Sequence, residues 1–243
     1  MYRIETIDVQ GHAEISSMEV FVFEPEGDGP HPGLIVAQHI PVAHSGLEND
    51  EWQLFVGEQY AKAGYVVAMP FVFHWWPKED DIQVKRDGFR DDDAVADLKA
   101  THSLISAMPN VDPQRVGLLG HCWGGRVSWL GACHIAELSA CVLLYGGRIK
   151  LPFVDQATPP IELAGNIRCP VLGVFGNDDQ NPSPKDVNDY QAALNSANVA
   201  NEFHRYDGAG HGFQDYSKPD RYRKTQSDDA WAKCIAFLDK HLK

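Results

Sequence analysis

A mostly parallel, doubly wound α/β sheet with an antiparallel hairpin at its N-terminal end is the fold predicted for this chain. Three observations predict it. Five short runs are apolar throughout, turn signals bound each of them, and helical patterns fall between most of them. Strands that are apolar on both faces fit a sheet covered by helices on both sides. Alternation of such strands with helices makes the sheet parallel and doubly wound.

Taken in order, residues 2–9 and 13–24 alternate apolar and polar, as in Met18-Glu19-Val20-Phe21-Val22-Phe23, with Gly11-His12 between them. That pattern predicts a half-buried hairpin at a sheet edge. The buried strands follow as Leu34–Ala37, Tyr65–Met69, Val116–Leu119, Cys141–Leu144 and Val171–Phe175, with a further strand over 201–206. Helical patterns occupy about 50–63, 91–108, 124–135, 185–197 and 221–241. The segment 146–168 is rich in Pro and Gly and weakly periodic, so a cap or irregular excursion beside the strand ends is expected there. Asp91-Asp92-Asp93 opens a helical pattern, where carboxylates serve free N–H groups and the helix dipole, so capping is expected rather than a metal. His39 and His44 lack thiolate or carboxylate partners at metal-like spacing.

The 243 residues contain no Gly/Ser linker or charge block, which predicts a single domain over 1–243. A formal net charge of -13 argues against nucleic acid and anionic membrane surfaces as partners. It disfavours an anionic substrate too, unless a local arginine overrides the field. No window approaches the roughly 20 apolar residues of a membrane span, and the chain starts on an alternating strand instead of a signal peptide, so a cytoplasmic protein is expected. Five cysteines with no CxxC pair imply reduced thiols. Cys133, Cys141, Cys169 and Cys234 sit among apolar or small residues and read as core fillers.

The fifth cysteine lies in Gly120-His121-Cys122-Trp123-Gly124-Gly125, where an apolar run hands over to a helical pattern. This reads as a nucleophile elbow of the α/β-hydrolase type carrying sulfur: the tight turn strains the central residue and demands small neighbours two before and two after it. The alternative is a buried structural thiol beside glycines required by packing. An elbow predicts an acid after a later strand and a histidine last. Gly176-Asn177-Asp178-Asp179 follows one strand and Asp207-Gly208-Ala209-Gly210-His211 follows the next. Cys122 would attack, His211 would carry the proton and Asp179, preferred over Asp178, would orient the imidazole; the other aspartate would cap the helix near Pro184. The N–H groups of Trp123 and Ile40 are the expected oxyanion donors, because Pro41 has no N–H and biases Ile40 toward an extended backbone.

In a doubly wound sheet, ligands bind beyond the carboxyl ends of the strands. His74, Trp75 and Trp76 follow the strand 65–69 and are therefore expected as a substrate-binding wall, with His39 as a neighbour of the oxyanion donor.

The G-x-C-x-G-G elbow at 120–125, the G-x-x-D turn at 176–179, the A-G-H-x-F segment at 209–213 and Tyr145 together make the chain similar to the dienelactone hydrolase family of the α/β-hydrolase superfamily. The resemblance covers about residues 30–240. It implies an α/β-hydrolase fold and hydrolysis of a small-molecule ester or lactone through a Cys122-His211-Asp179 triad and a thioester acyl-enzyme, with no metal or organic cofactor and with Tyr145 near the substrate. A thioesterase, a general carboxylesterase and a thiol-sensing or ligand-binding protein of the same fold are the alternatives. Two positions depart from the family. His39 stands where the best-known members have a glutamate that restrains the thiol, and Asp215 stands where they have a carboxylate-binding arginine. His39 could hold Cys122 as a thiolate or simply shape the pocket. Lys85, Arg86 and Arg90 are the available replacements for the arginine, and the pocket is expected to differ from the familiar dienelactone one.

Overall fold

A computed structural model describes residues 1–153 and 157–243. Eight strands form one sheet in the order β1-β2-β4-β3-β5-β6-β7-β8. β1 (Tyr2–Gln10) and β2 (Ile15–Phe23) form the expected antiparallel hairpin, and β2 joins β4 (Val66–Pro70) antiparallel. All remaining pairs are parallel: β3 (His31–Ala37) with β4 and with β5 (Val111–His121), then β6 (Ala140–Leu144), β7 (Val171–Gly176) and β8 (Asn201–Tyr206) in succession.

The predicted helices appear as α1 (Glu51–Lys62), α3 (Asp91–Ser106), α4 (Trp123–His134), α5 (Pro184–Ser196) and α6 (Lys224–Leu242). α3 packs on α4, and Trp129 of α4 meets Tyr190 of α5, on one face of the sheet. On the other face, Phe55 and Tyr60 of α1 meet Trp231 of α6. The central strands are buried on both sides, which is why they read as unbroken apolar runs. Cys133, Cys141, Cys169 and Cys234 are free and buried among them.

A short helix, α2 (Ile82–Gly88), and 3₁₀ turns at Ile40–His44, Leu47–Asn49 and Pro160–Asn166 were not predicted. The excursion expected over 146–168 contains the last of these turns; Trp129 Nε1 donates to the Pro160 carbonyl at 2.7 Å, and residues 154–156 lie outside the described residues. At the acidic start of α3 the N-cap is Arg90 without a side-chain bond, but Asp92 Oδ1 accepts from the first-turn N–H of Asp93 at 3.1 Å. The carboxylates have other partners too: Asp91 pairs with Arg126, Asp92 with Arg90, and Asp93 accepts from the His12 N–H at 2.6 Å.

The chain runs from β3 out to β4 on one side and returns to β5 on the other. Loops leaving β3 and β5 therefore diverge at their carboxyl ends and open a crevice there. Cys122 and the residues after Ala37 stand at that crevice.

Candidate active site

The β5–α4 junction is a turn that only small residues permit. A Cβ on Gly120 would collide with the Gly124 carbonyl, and one on Gly124 with the Ala37 carbonyl of β3. Between them Cys122 holds φ 57° and ψ −119°, a strained conformation for a residue with a side chain. Its N–H donates to Leu144 of β6 at 2.9 Å and its carbonyl accepts from Gly125 at 3.0 Å, so neighbouring elements fix the strain. The sulfur is left half-buried at the start of α4.

His211, in the loop after β8, places Nε2 3.0 Å from the sulfur and Nδ1 2.8 Å from Asp179 Oδ2. Asp179 is buried, and its other oxygen accepts from the Asn181 N–H at 2.8 Å. Asp178 is exposed and makes no contact with the imidazole among the described residues. Neither aspartate caps α5: Ser183 and Asp186 form a capping box there instead. The loops after β7 and β8 approach so closely that a Cβ on Gly176 would strike the Ala209 carbonyl.

Burial alone would push the Cys122 thiol up. The His211 hydrogen bond and charge, with the Trp123 and Ile40 N–H groups aimed at the sulfur, hold it below its ordinary range. Burial would likewise push His211 down, but Asp179 and the sulfur outweigh it and raise the imidazole to about 10. Both directions describe one state, a thiolate beside an imidazolium. The adjacent His121 is wholly buried against Trp52 and Tyr145, and burial lowers it to about 3, so it stays neutral.

The Ile40 N–H reaches the site by a route other than the expected one. Ile40 begins a 3₁₀ turn, and the extended residue is His39, one position earlier, at φ −81° and ψ 165°. Pro41 tolerates the first turn of a helix, where its missing N–H leaves no partner unmet.

These groups border a cavity of about 250 Å³. His39 and Tyr145 line it as expected. Tyr145 lies edge-on to His211 with ring centroids 5.4 Å apart, at a φ of 40°. His39 makes no hydrogen bond with the sulfur: its Nε2 meets Asp50 Oδ2 at 2.8 Å and its ring leans on Trp52. The N-cap oxygens of Asp50 thus serve both His39 and the Gln53 N–H of α1.

His74, Trp75 and Trp76 do not line the cavity, a correction to the expected wall. Asp97 of α3 is fully buried and needs partners. His74 Nε2 supplies one at 2.9 Å and Trp75 Nε1 another at 3.3 Å, while His74 Nδ1 meets Ser16 Oγ of β2 at 2.9 Å. The two side chains staple the hairpin to α3, and Trp76 packs toward Gly88 of α2.

The lining carries charge that the sequence did not disclose: Arg126, Arg148, Lys218 and Arg221 border the cavity beside Arg86, which was among the cations expected there. Arg126 is neutralised by its ion pair with Asp91 and stacks on Phe153 with its guanidinium carbon 3.7 Å from the ring centroid. Arg86 and Arg148 have no acidic partner among the described residues, and the Nε of Arg86 is buried without a hydrogen-bond acceptor. Asp215 also borders the cavity, and its Oδ1 accepts from the Ser217 N–H and Oγ. Of the three cations expected as replacements, only Arg86 faces the cavity: Lys85 is buried elsewhere and Arg90 pairs with Asp92. The cap Asp81, which accepts from the Gln83 N–H, and the closing Gly88 are the signals that mark α2 in the sequence.

Among the described residues no group of three or more His, Cys, Asp or Glu is arranged to hold a metal ion, and no helix is long and apolar enough to cross a membrane.

A sequence model of the Dienelactone hydrolase family matches residues 18–242. A candidate carboxymethylenebutenolidase of Escherichia coli (strain K12) is 28% identical over 223 residues, covering 89% of this chain and 79% of that protein. The carboxymethylenebutenolidase of Rhodococcus opacus is 29% identical over 194 residues, covering 75% and 73%. The solved structure of a candidate dienelactone hydrolase from Klebsiella pneumoniae superposes with a TM-score of 0.83 at 27% identity, covering 98% of this chain and 99% of that one.

Proposed function

Because this chain belongs to the dienelactone hydrolase family and is an ester-bond hydrolase, we propose that it hydrolyses small esters or lactones through Cys122, His211 and Asp179, by way of a thioester on the sulfur. The observation that carries the reading is the unbroken line from sulfur to carboxylate, 3.0 Å to His211 Nε2 and 2.8 Å from Nδ1 to Asp179.

The steps follow from the charges. The thiolate attacks the carbonyl carbon, and the displaced electron pair gathers on the carbonyl oxygen, held by the N–H groups of Ile40 and Trp123. Collapse expels the alkoxide or enolate oxygen, which takes its proton from the His211 imidazolium. The sulfur is now uncharged in a thioester, so one of the two influences that raise His211 is gone. The imidazole can then accept a proton from water, whose oxygen attacks the thioester; the second collapse returns the thiolate and releases the acid. Asp179 keeps the Nδ1 proton in place throughout.

The cavity supports one substrate class. Arg86 and Arg148, without acidic partners among the described residues, favour an ester or lactone carrying an anionic group, despite the acidic chain as a whole. Its size must suit about 250 Å³. We place the reaction in one domain spanning residues 1–243 and without a cofactor.

A panel of aryl esters, enol lactones and thioesters, each in neutral and anionic versions, tests the reading. Cys122→Ala should lose activity by at least about 10³-fold, and electrospray mass spectrometry of the quenched wild type should find an acyl group on Cys122. Retained turnover in Cys122→Ala would refute it.

A further inference from the structure

Lys85 is fully buried, yet no carboxylate lies within ion-pair distance of its ammonium group among the described residues. The nitrogen donates to two backbone carbonyls, Ala43 and Lys78, the latter at 2.9 Å. A cation in such a place carries a desolvation penalty, and burial does lower its pKa; a methionine would fill the volume without it. Its carbonyl partners are therefore the informative feature.

Ala43 belongs to the 3₁₀ turn Ile40–His44, whose first N–H points at the Cys122 sulfur. At its start the turn is secured by the His39 N–H, which donates to Gln53 Oε1 at 3.3 Å. At its end Lys85 supplies the tie from outside. The other carbonyl, Lys78, lies in the loop after β4, itself pinned where Lys78 Nζ meets Glu19 and Glu48 at 2.8 Å each. Lys85 thus fastens the turn to two separate parts of the molecule. The next residue of α2, about 100° further around the helix, is Arg86, which borders the cavity and has a buried Nε without an acceptor.

We propose that Lys85 is a positioning residue for the oxyanion turn, and that α2 links this turn to the place where Arg86 meets an anionic substrate. An anion drawn to Arg86 seats α2; through Lys85 and the Ala43 carbonyl, α2 seats the Ile40 N–H. The inference rests on the cysteine mechanism proposed above.

Lys85→Met, Lys85→Gln and Lys85→Arg are to be compared with wild type on a neutral and an anionic aryl ester of equal acyl size, alongside the rate of Cys122 alkylation by iodoacetamide. Lys85→Met should lower kcat about 10- to 100-fold, with KM for the neutral ester within about threefold and alkylation within about threefold. Lys85→Arg, which keeps donors, should recover part of kcat, and the kcat advantage of the anionic ester should shrink toward one in Lys85→Met. If Lys85→Met does not fold, Lys85→Gln carries the same comparison. Unchanged kcat, a loss confined to KM, or an equal fall in alkylation overturns the assignment. Wild-type turnover in Cys122→Ala would overturn the cysteine mechanism and this proposal with it, whereas inactive Cys122→Ala beside fully active Lys85 variants overturns only the latter.

Discussion

Cys122 and His211 titrate as a pair, and the direction of each shift can be tested. Burial raises the thiol, and the His211 side chain with two N–H groups lowers it by more. The inflection in the rate of iodoacetamide reaction should therefore lie below the ordinary thiol range in wild type and move to higher pH in His211→Gln, because burial stays and the largest opposing influence goes. Rate-against-pH profiles of the two proteins from pH 5 to 10 read this directly. His211 is raised to about 10, so its contribution to stability is complete below about 6.5 and is lost as the pH climbs through 10. The residues of this line were legible in the sequence because backbone sterics restrict them: Gly120 and Gly124 admit no side chain, and that requirement marks Cys122 between them. The bond between His39 and Asp50 was not legible. Asp50 looks like any helix cap, and its second use depends on how the loop after β3 folds back over α1.

At the scale of elements, the strands and long helices were readable from periodicity, while the short pieces that shape the cavity were not. α2 is seven residues long, too short for a hydrophobic period to stand out, and its inward residue is a lysine instead of an apolar one. The staple between the hairpin and α3 misled for a related reason: His74 and Trp75 follow a strand at the right edge, but buried Asp97 claims them. That staple has its own pH signature. Burial raises Asp97 to about 6 against the pull of His74 and Trp75. A carboxyl raised in the folded state stabilises most below about pH 4, and that contribution is lost as pH rises toward 6. Between pH 4 and 6.5, wild type should lose on the order of 2 kcal/mol of stability relative to Asp97→Asn. Urea unfolding of both proteins across that range measures it; parallel curves would show that the carboxyl does not titrate there.

Across the whole molecule, a chain of net charge -13 encloses a cavity bordered by arginine and lysine. Composition disclosed the first fact and concealed the second, since Arg86 comes from α2, Arg148 from the loop after β6, and Lys218 and Arg221 from the loop after β8, and they meet only in the fold. Long-range repulsion and short-range attraction respond differently to salt: screening acts over about 10 Å at 0.1 M and leaves close contacts largely intact. Raising the salt from about 20 to 200 mM should therefore increase kcat/KM for an anionic ester relative to its neutral counterpart. A fall in that ratio would mean that the arginines, and not the acidic body, govern arrival from solution.

The same opposition bears on the end of the cycle. Splitting an ester or lactone leaves a carboxylate where there was a neutral bond, so each turnover puts one more negative charge into the cavity than entered it. Inside, Arg86 and Arg148, without acidic partners among the described residues, attract an anion; beyond the rim, the strongly acidic protein as a whole repels one. For the reaction proposed above, that added charge favours departure of the product and disfavours its return from solution.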